Sequence, residues 1–145
     1  MKGKVLIHGS YKKTNMNGYE IIVKSCWKGN LDSTVYMETI SDEDLRKEIF
    51  QMLYICFDAL KRGFETGCKR VLGVDGYYHL RSSHLGVLLT SMGKGPNGCI
   101  YPVACAIVKT ENKRSWKWFL QFLKYDLGTH DQRSWTFISD RYIKG

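Results

Sequence analysis

The sequence predicts an α/β protein in which an amphipathic helix is laid on a sheet. Three observations carry this. Short apolar runs bounded by turn formers recur between residues 71 and 108. Apolar residues then recur at helical spacing over 112–127. A further short apolar run, Trp135-Thr136-Phe137-Ile138, follows that helix. The order is strand, strand, strand, helix, strand, in which the helix can serve as a right-handed crossover between parallel strands.

The chain has 145 residues, a formal net charge of +8 and 43% hydrophobic residues, enough for one modest domain. No stretch approaches the roughly 18 to 20 apolar residues of a membrane span, and the opening run Val5-Leu6-Ile7 is too short for a secretory signal. Five cysteines without a CxxC pair favour an intracellular, reduced protein over a disulfide framework. The basic excess is diffuse, with no run of Lys and Arg longer than two. It suits a polyanion without demanding one.

Residues 1–48 read as a poorly defined N-terminal segment. Asn15, Asn17, Gly18, Gly29 and Asn30 interrupt its apolar pieces. Ser41-Asp42-Glu43-Asp44 offers a cap followed by acids suited to a positive helix end, so a short helix is expected over 41–48. The second unit, 49–145, opens with the β-rich run Ile49 to Phe57, read as a strand. Asp58 to Glu65 reads as helix, closed by Gly67.

Val71-Leu72-Gly73-Val74-Asp75 is a strand that ends in an acid, and Leu85 to Met92 is a second strand. Gly93-Lys94-Gly95-Pro96-Asn97-Gly98 turns the chain into the third, Cys99 to Val108. Pro102 has no N–H to donate, which puts that strand at a sheet edge or beside a bulge. Trp116, Phe119, Leu120, Leu123 and Leu127 mark the buried side of the following helix, which stops at Gly128. The last strand runs to Ser139-Asp140.

Asp75 and Asp140 thus each end a short apolar strand. If the two strands are parallel neighbours, both acids reach one sheet end, and hard cations such as Mg2+ take carboxylate oxygens. Two-metal sites use such pairs to activate an attacking oxygen and stabilise a leaving one. The plainer alternatives are a turn at Asp75-Gly76 and a loop start at Ser139-Asp140.

Five segments in order resemble the catalytic core of plant Mutator-like transposases. They are Gly67-Cys68-Lys69-Arg70-Val71-Leu72-Gly73-Val74-Asp75-Gly76, Leu88-Leu89-Thr90, Cys99-Ile100-Tyr101-Pro102-Val103-Ala104, Glu111 to Leu120, and Trp135 to Arg141. Tyr54 to Phe64 is similar to the family's entry segment, so the resemblance covers about residues 50 to 145. It implies an RNase H-like mixed sheet in the order 3-2-1-4-5, incomplete here after strand 4, with the Pro102 strand at its edge. It also implies DDE chemistry on DNA with Mg2+ or Mn2+, a nuclear location, and Asp75 and Asp140 as the catalytic, metal-binding acids. The family's third acid lies beyond the Ser-Asp-Arg motif on a later helix, so this chain is expected to be an inactive fragment. The resemblance extends equally to far-red-response regulators, non-catalytic DNA-binding relatives of these transposases.

The remaining candidates have simpler readings. Glu111 precedes the helix at 112–127, where a solvated acid is at home. His79 and His84 match half of a zinc spacing. Cys99 and Cys105 read as small buried hydrophobes. Trp116 and Phe119 read as core, and Trp118 as a surface aromatic suited to stacking on a nucleobase.

Overall fold

The computed structural model describes residues 2–7, 32–77, 86–128 and 135–139. The chain is mixed α/β. Its strands are β1 (Lys2–Ile7), β2 (Thr34–Asp42), β3 (Lys47–Cys56), β4 (Val71–Tyr77), β5 (Val87–Lys94), β6 (Ile100–Val108) and β7 (Thr136–Ser139). Two helices accompany them, α1 (Asp58–Gly67) and α2 (Lys113–Asp126). The strands form one mixed sheet in the order β1-β2-β3-β6-β5-β4-β7. Every neighbouring pair is antiparallel except β4 and β7, which are parallel.

One face of the sheet holds the main core. Tyr36, Met52, Tyr54, Ala106, Leu89, Leu72 and Val74 alternate inward on successive strands and pack with Phe64 of α1 and with Trp116, Phe119 and Leu123 of α2. Each fully buried large side chain contributes roughly 1.5 to 3 kcal/mol, so this layer dominates the fold's stability. Gly93 belongs to the same layer because Phe64 lies against it: a Cβ there would stand 2.5 Å from the ring.

The helix expected over 41–48 is instead a hairpin turn. Ser41 and Asp42 end β2, residues 43–46 turn, and Lys47 begins β3. The Asp42 carboxylate accepts from the backbone N–H groups of Asp44 (3.0 Å) and Leu45 (3.2 Å). A short acid that caps a helix makes the same local bonds in a turn, and here sheet pairing decided between them. Arg46 closes the loop with φ of 48°, in the left-handed region. Nor are residues 34–40 irregular: they pair with β3, and one sheet continues across the expected boundary between 48 and 49.

The Pro102 strand is not at an edge, because β3 pairs with β6 on the side away from β5. That pairing covers only Cys105 to Val108, so Pro102 lies beyond its end. On the β5 side the register steps from Ser91↔Ala104 to Met92↔Pro102, leaving Val103 as a bulge. The bulge and the short partner strand together tolerate the missing N–H.

The helices start in different ways. Asn112 and Ser115 form a reciprocal capping box at α2, with Asn112 Oδ1 accepting from Ser115 N and Ser115 Oγ accepting from Asn112 N, both at 2.9 Å. α1 has no cap of its own. Its first N–H, on Asp58, donates to Oγ of Ser33, 25 residues upstream and buried.

Candidate functional site

Of the pair Asp75 and Asp140, Asp75 lies among the described residues, and it sits within β4. The strand runs on to Tyr77, so it does not end at the acid; its pairing with β5 carries Asp75 opposite Thr90 and Gly76 opposite Leu89. Leu72, Val74 and Gly76 are buried on the helix-covered face, so alternation turns Asp75 toward the other, where it is half-buried. Its Oδ1 accepts from the Gly76 N–H at 2.8 Å, and Thr90 Oγ1 donates to its backbone carbonyl at 3.3 Å. Oδ2 makes no hydrogen bond among the described residues. A carboxylate with one oxygen held and the other without a partner among the described residues is a hard donor of the kind that Mg2+ or Mn2+ takes.

β7 lies parallel to β4 in the register Val71↔Thr136, Leu72↔Phe137, Gly73↔Ile138 and Val74↔Ser139. The strands are also joined where Thr136 N donates to Arg70 O at 3.1 Å. Asp75 follows Val74 directly, and in sequence Asp140 follows Ser139. Asp140 itself lies outside the described residues, as do His79 and His84. Among the described residues no three His, Cys, Asp or Glu side chains come together.

Glu111 is not the freely solvated acid its sequence position suggests. Its carboxylate packs on Gly76, where a Cβ would stand 2.9 Å from Oε1, and Oε1 accepts from Trp116 Nε1 at 3.1 Å. Oε2 is buried without a hydrogen-bond partner among the described residues. Glu111 thus lies on the Gly76 face of β4, opposite to the Asp75 side chain.

A second polar centre had no signal in the sequence. Asp126, the last residue of α2, is buried, and accepts from Thr34 Oγ1 at 2.6 Å and from the Tyr54 hydroxyl at 2.8 Å. Lys61 of α1 approaches to 3.5 Å. An acid at the negative end of a helix is unfavourable in isolation, and these three donors supply the compensation. Beside them, burial first and the Asp126 charge second push the Cys56 thiol up to about 12, with the Lys61 ammonium acting in the opposite sense. Burial, helped by Cys56 and Asp126, likewise holds the Tyr54 hydroxyl far above the ordinary phenol range. The cluster is a neutral-thiol, neutral-phenol pin between β2, β3, α1 and α2. A cysteine held this way is a poor nucleophile.

The aromatic and cysteine expectations divide. Trp116 and Phe119 are core residues as their spacing indicates. Trp118 is not a free surface ring, because it packs at 5.0 Å from Phe122 and 6.0 Å from Tyr36. Cys99 precedes β6 and is exposed, whereas Cys105 is half-buried within it.

The solvent side of α2 is cationic. Lys113, Arg114, Lys117 and Lys124 are exposed, and Arg114 reaches back to Glu38 of β2 at 2.5 Å. Comparison of the chain with protein-family models, with curated proteins and with solved structures gives no match.

Proposed function

We propose that residues 71–140 form the catalytic core of an RNase H-like DNA transposase of the Mutator-like type, with Asp75 and Asp140 as ligands for Mg2+ or Mn2+. The observation that carries this reading is the order β6-β5-β4-β7, with β4 and β7 parallel and the other two pairs antiparallel. In family terms this is the run 3-2-1-4, and each acid follows directly on a residue of the last described pair, Val74↔Ser139. β3, β2 and β1 extend the sheet beyond the Pro102 strand, an addition to the 3-2-1-4-5 order that the resemblance implies.

Bound divalent ions would supply charge for activating an attacking hydroxyl and stabilising a leaving oxygen at a DNA phosphodiester. The chain's own contribution is positional. The Gly76 N–H fixes one Asp75 oxygen, and the ladder from β7 to β4 sets the separation of the two strand ends. Two carboxylates hold two ions weakly, so Asp75 and Asp140 account for metal binding and not, by themselves, for strand transfer. A nuclear location goes with this reading through the family resemblance.

The test is paramagnetic broadening of amide signals by Mn2+. Broadening centred on Asp75, Gly76 and Ser139 supports the reading; none in a folded chain, or broadening centred elsewhere, refutes it. A second reading, a non-catalytic DNA-binding module similar to the far-red-response regulators, is supported by a feature that needs no metal, the cationic outer side of α2.

A further inference from the structure

The outer side of α2 carries like charges that folding alone does not favour. At about 100° per residue, Lys113, Lys117 and Lys124 fall within an arc of about 40°. That arc lies about 100° around the helix from the buried face of Trp116, Phe119 and Leu123, and all three lysines are exposed. The helix holds a single acid, Asp126, and it is buried on the sheet side. Two rules of helix stability oppose the arrangement. Lys113 and Arg114 stand in the first turn, against the positive end of the helix dipole. Lys113 and Lys117 are a like-charged i,i+4 pair. Arg114 is compensated by Glu38. Among the described residues Lys113 and Lys117 make no ion pair.

We infer that this side of α2 is a docking surface for the phosphate backbone of duplex DNA, an inference that rests on the reading of DNA as the partner. The row from Lys113 to Lys124 spans about 16 Å of helix, long enough to meet several phosphates of a duplex, which carries one charge per roughly 1.7 Å of its axis. At the first turn the surface continues into a recess of about 90 Å³ lined by residues including Gln51, Lys109, Thr110, Asn112 and Arg114. A membrane-surface helix would set an apolar stripe against the bilayer beside its cations, but the apolar stripe of α2 is spent on the sheet. The row is bordered by the partly buried Leu120 on its core side and by the exposed Gln121 on the other, with the exposed Tyr125 beyond it; Gln121 and Tyr125 are both able to bond phosphate oxygen.

The experiment is anisotropy of a labelled random-sequence DNA duplex, titrated with the whole chain over a range of salt in EDTA. The double variant Lys113→Gln/Lys117→Gln is expected to weaken binding at low salt about tenfold or more and to reduce the slope of log K against log salt by about two. Gln121→Lys, which adds a cation beside the row, is expected to tighten binding and steepen the slope by about one. Lys47→Gln/Lys69→Gln removes the same charge from exposed sites off the helix and is expected to leave the slope near wild type. Melting curves establish that each variant is folded, and neutralising Lys113 and Lys117 leaves stability equal or higher. Three results overturn the inference: no duplex binding by the wild-type chain, equal losses in the two double variants, or binding to phosphatidylserine vesicles but not to duplex. Because EDTA removes the metals, failure of the catalytic reading leaves this outcome untouched, and failure here leaves the metal tests untouched.

Discussion

The Tyr54 hydroxyl donates to Oδ2 of Asp126 at 2.8 Å across 72 residues of sequence, joining the middle of the sheet to the last residue of α2. Thr34 and Lys61 complete the coordination of that carboxylate, so one buried charge ties two strands and both helices. Asp126→Ala removes the acceptor and leaves Lys61 and two hydroxyls unpaired, with an expected loss of about 3 to 5 kcal/mol. Tyr54→Phe removes one donor, with an expected loss of about 1 to 2 kcal/mol. Urea unfolding measures both, and equal losses would contradict the central role given to Asp126.

Stability is expected to fall as pH rises above the ordinary thiol range. The Cys56 thiol is raised to about 12 in the folded chain, whereas an unfolded thiol titrates near 8.5. Between these values the unfolded state carries fewer protons, so unfolding becomes easier with pH, at up to about 1.4 kcal/mol per pH unit from this group. Its stabilisation is complete below about pH 8 and lost progressively toward 12. Tyr54, raised in the same direction, adds to the fall at the upper end. Cys56→Ala is expected to shallow the slope in urea titrations at a series of alkaline pH values; an unchanged slope would contradict the assignment.

Thiol labelling of the native chain is expected to separate the cysteines by burial. Cys99 is exposed and Cys56 fully buried, so a neutral disulfide reagent should modify Cys99 promptly and Cys56 only after unfolding. Mass mapping of the labelled peptides checks this, and early labelling of Cys56 would show that the Asp126 cluster opens locally.

Gly76→Ala should strain the contact between β4 and Glu111, since the new methyl would stand 2.9 Å from Oε1 and 3.2 Å from Cδ. The Glu111 carboxylate can swing aside at the loss of its bond from Trp116 Nε1, so the expected cost is about 1 kcal/mol. Glu111→Ala in the same chain should recover most of it, and a double-mutant cycle by thermal unfolding reads the coupling.

Much of the second half of the fold is legible in the sequence because its signals are local and agree with one another. The α2 period, the Gly95-Pro96-Asn97-Gly98 turn and the apolar runs of β4 to β6 each point to the element that forms. The turn closes with Gly98 N donating to Gly95 O at 3.0 Å and with Gly98 at φ of 76°. The first half is less legible where one signal serves two structures. Asp42 bonds a turn as readily as it caps a helix, and only pairing of 34–42 with 47–56 selects the hairpin. Of the candidate site, residue type and strand position drew attention to Asp75. No pattern draws attention to Asp126, because an acid at a helix C-terminus looks solvated until Thr34, Tyr54 and Lys61 are brought to it from 65 to 92 residues away.

The most direct test of the metal-binding reading is calorimetric titration of Mg2+ and Mn2+ into the folded chain and into its Asp75→Ala and Asp140→Ala variants. Binding by the wild-type chain that disappears in either folded variant is the predicted result, because the two acids are proposed to hold the metal jointly. A folded wild-type chain that takes up neither ion, or variants that bind as well as wild type, would contradict it.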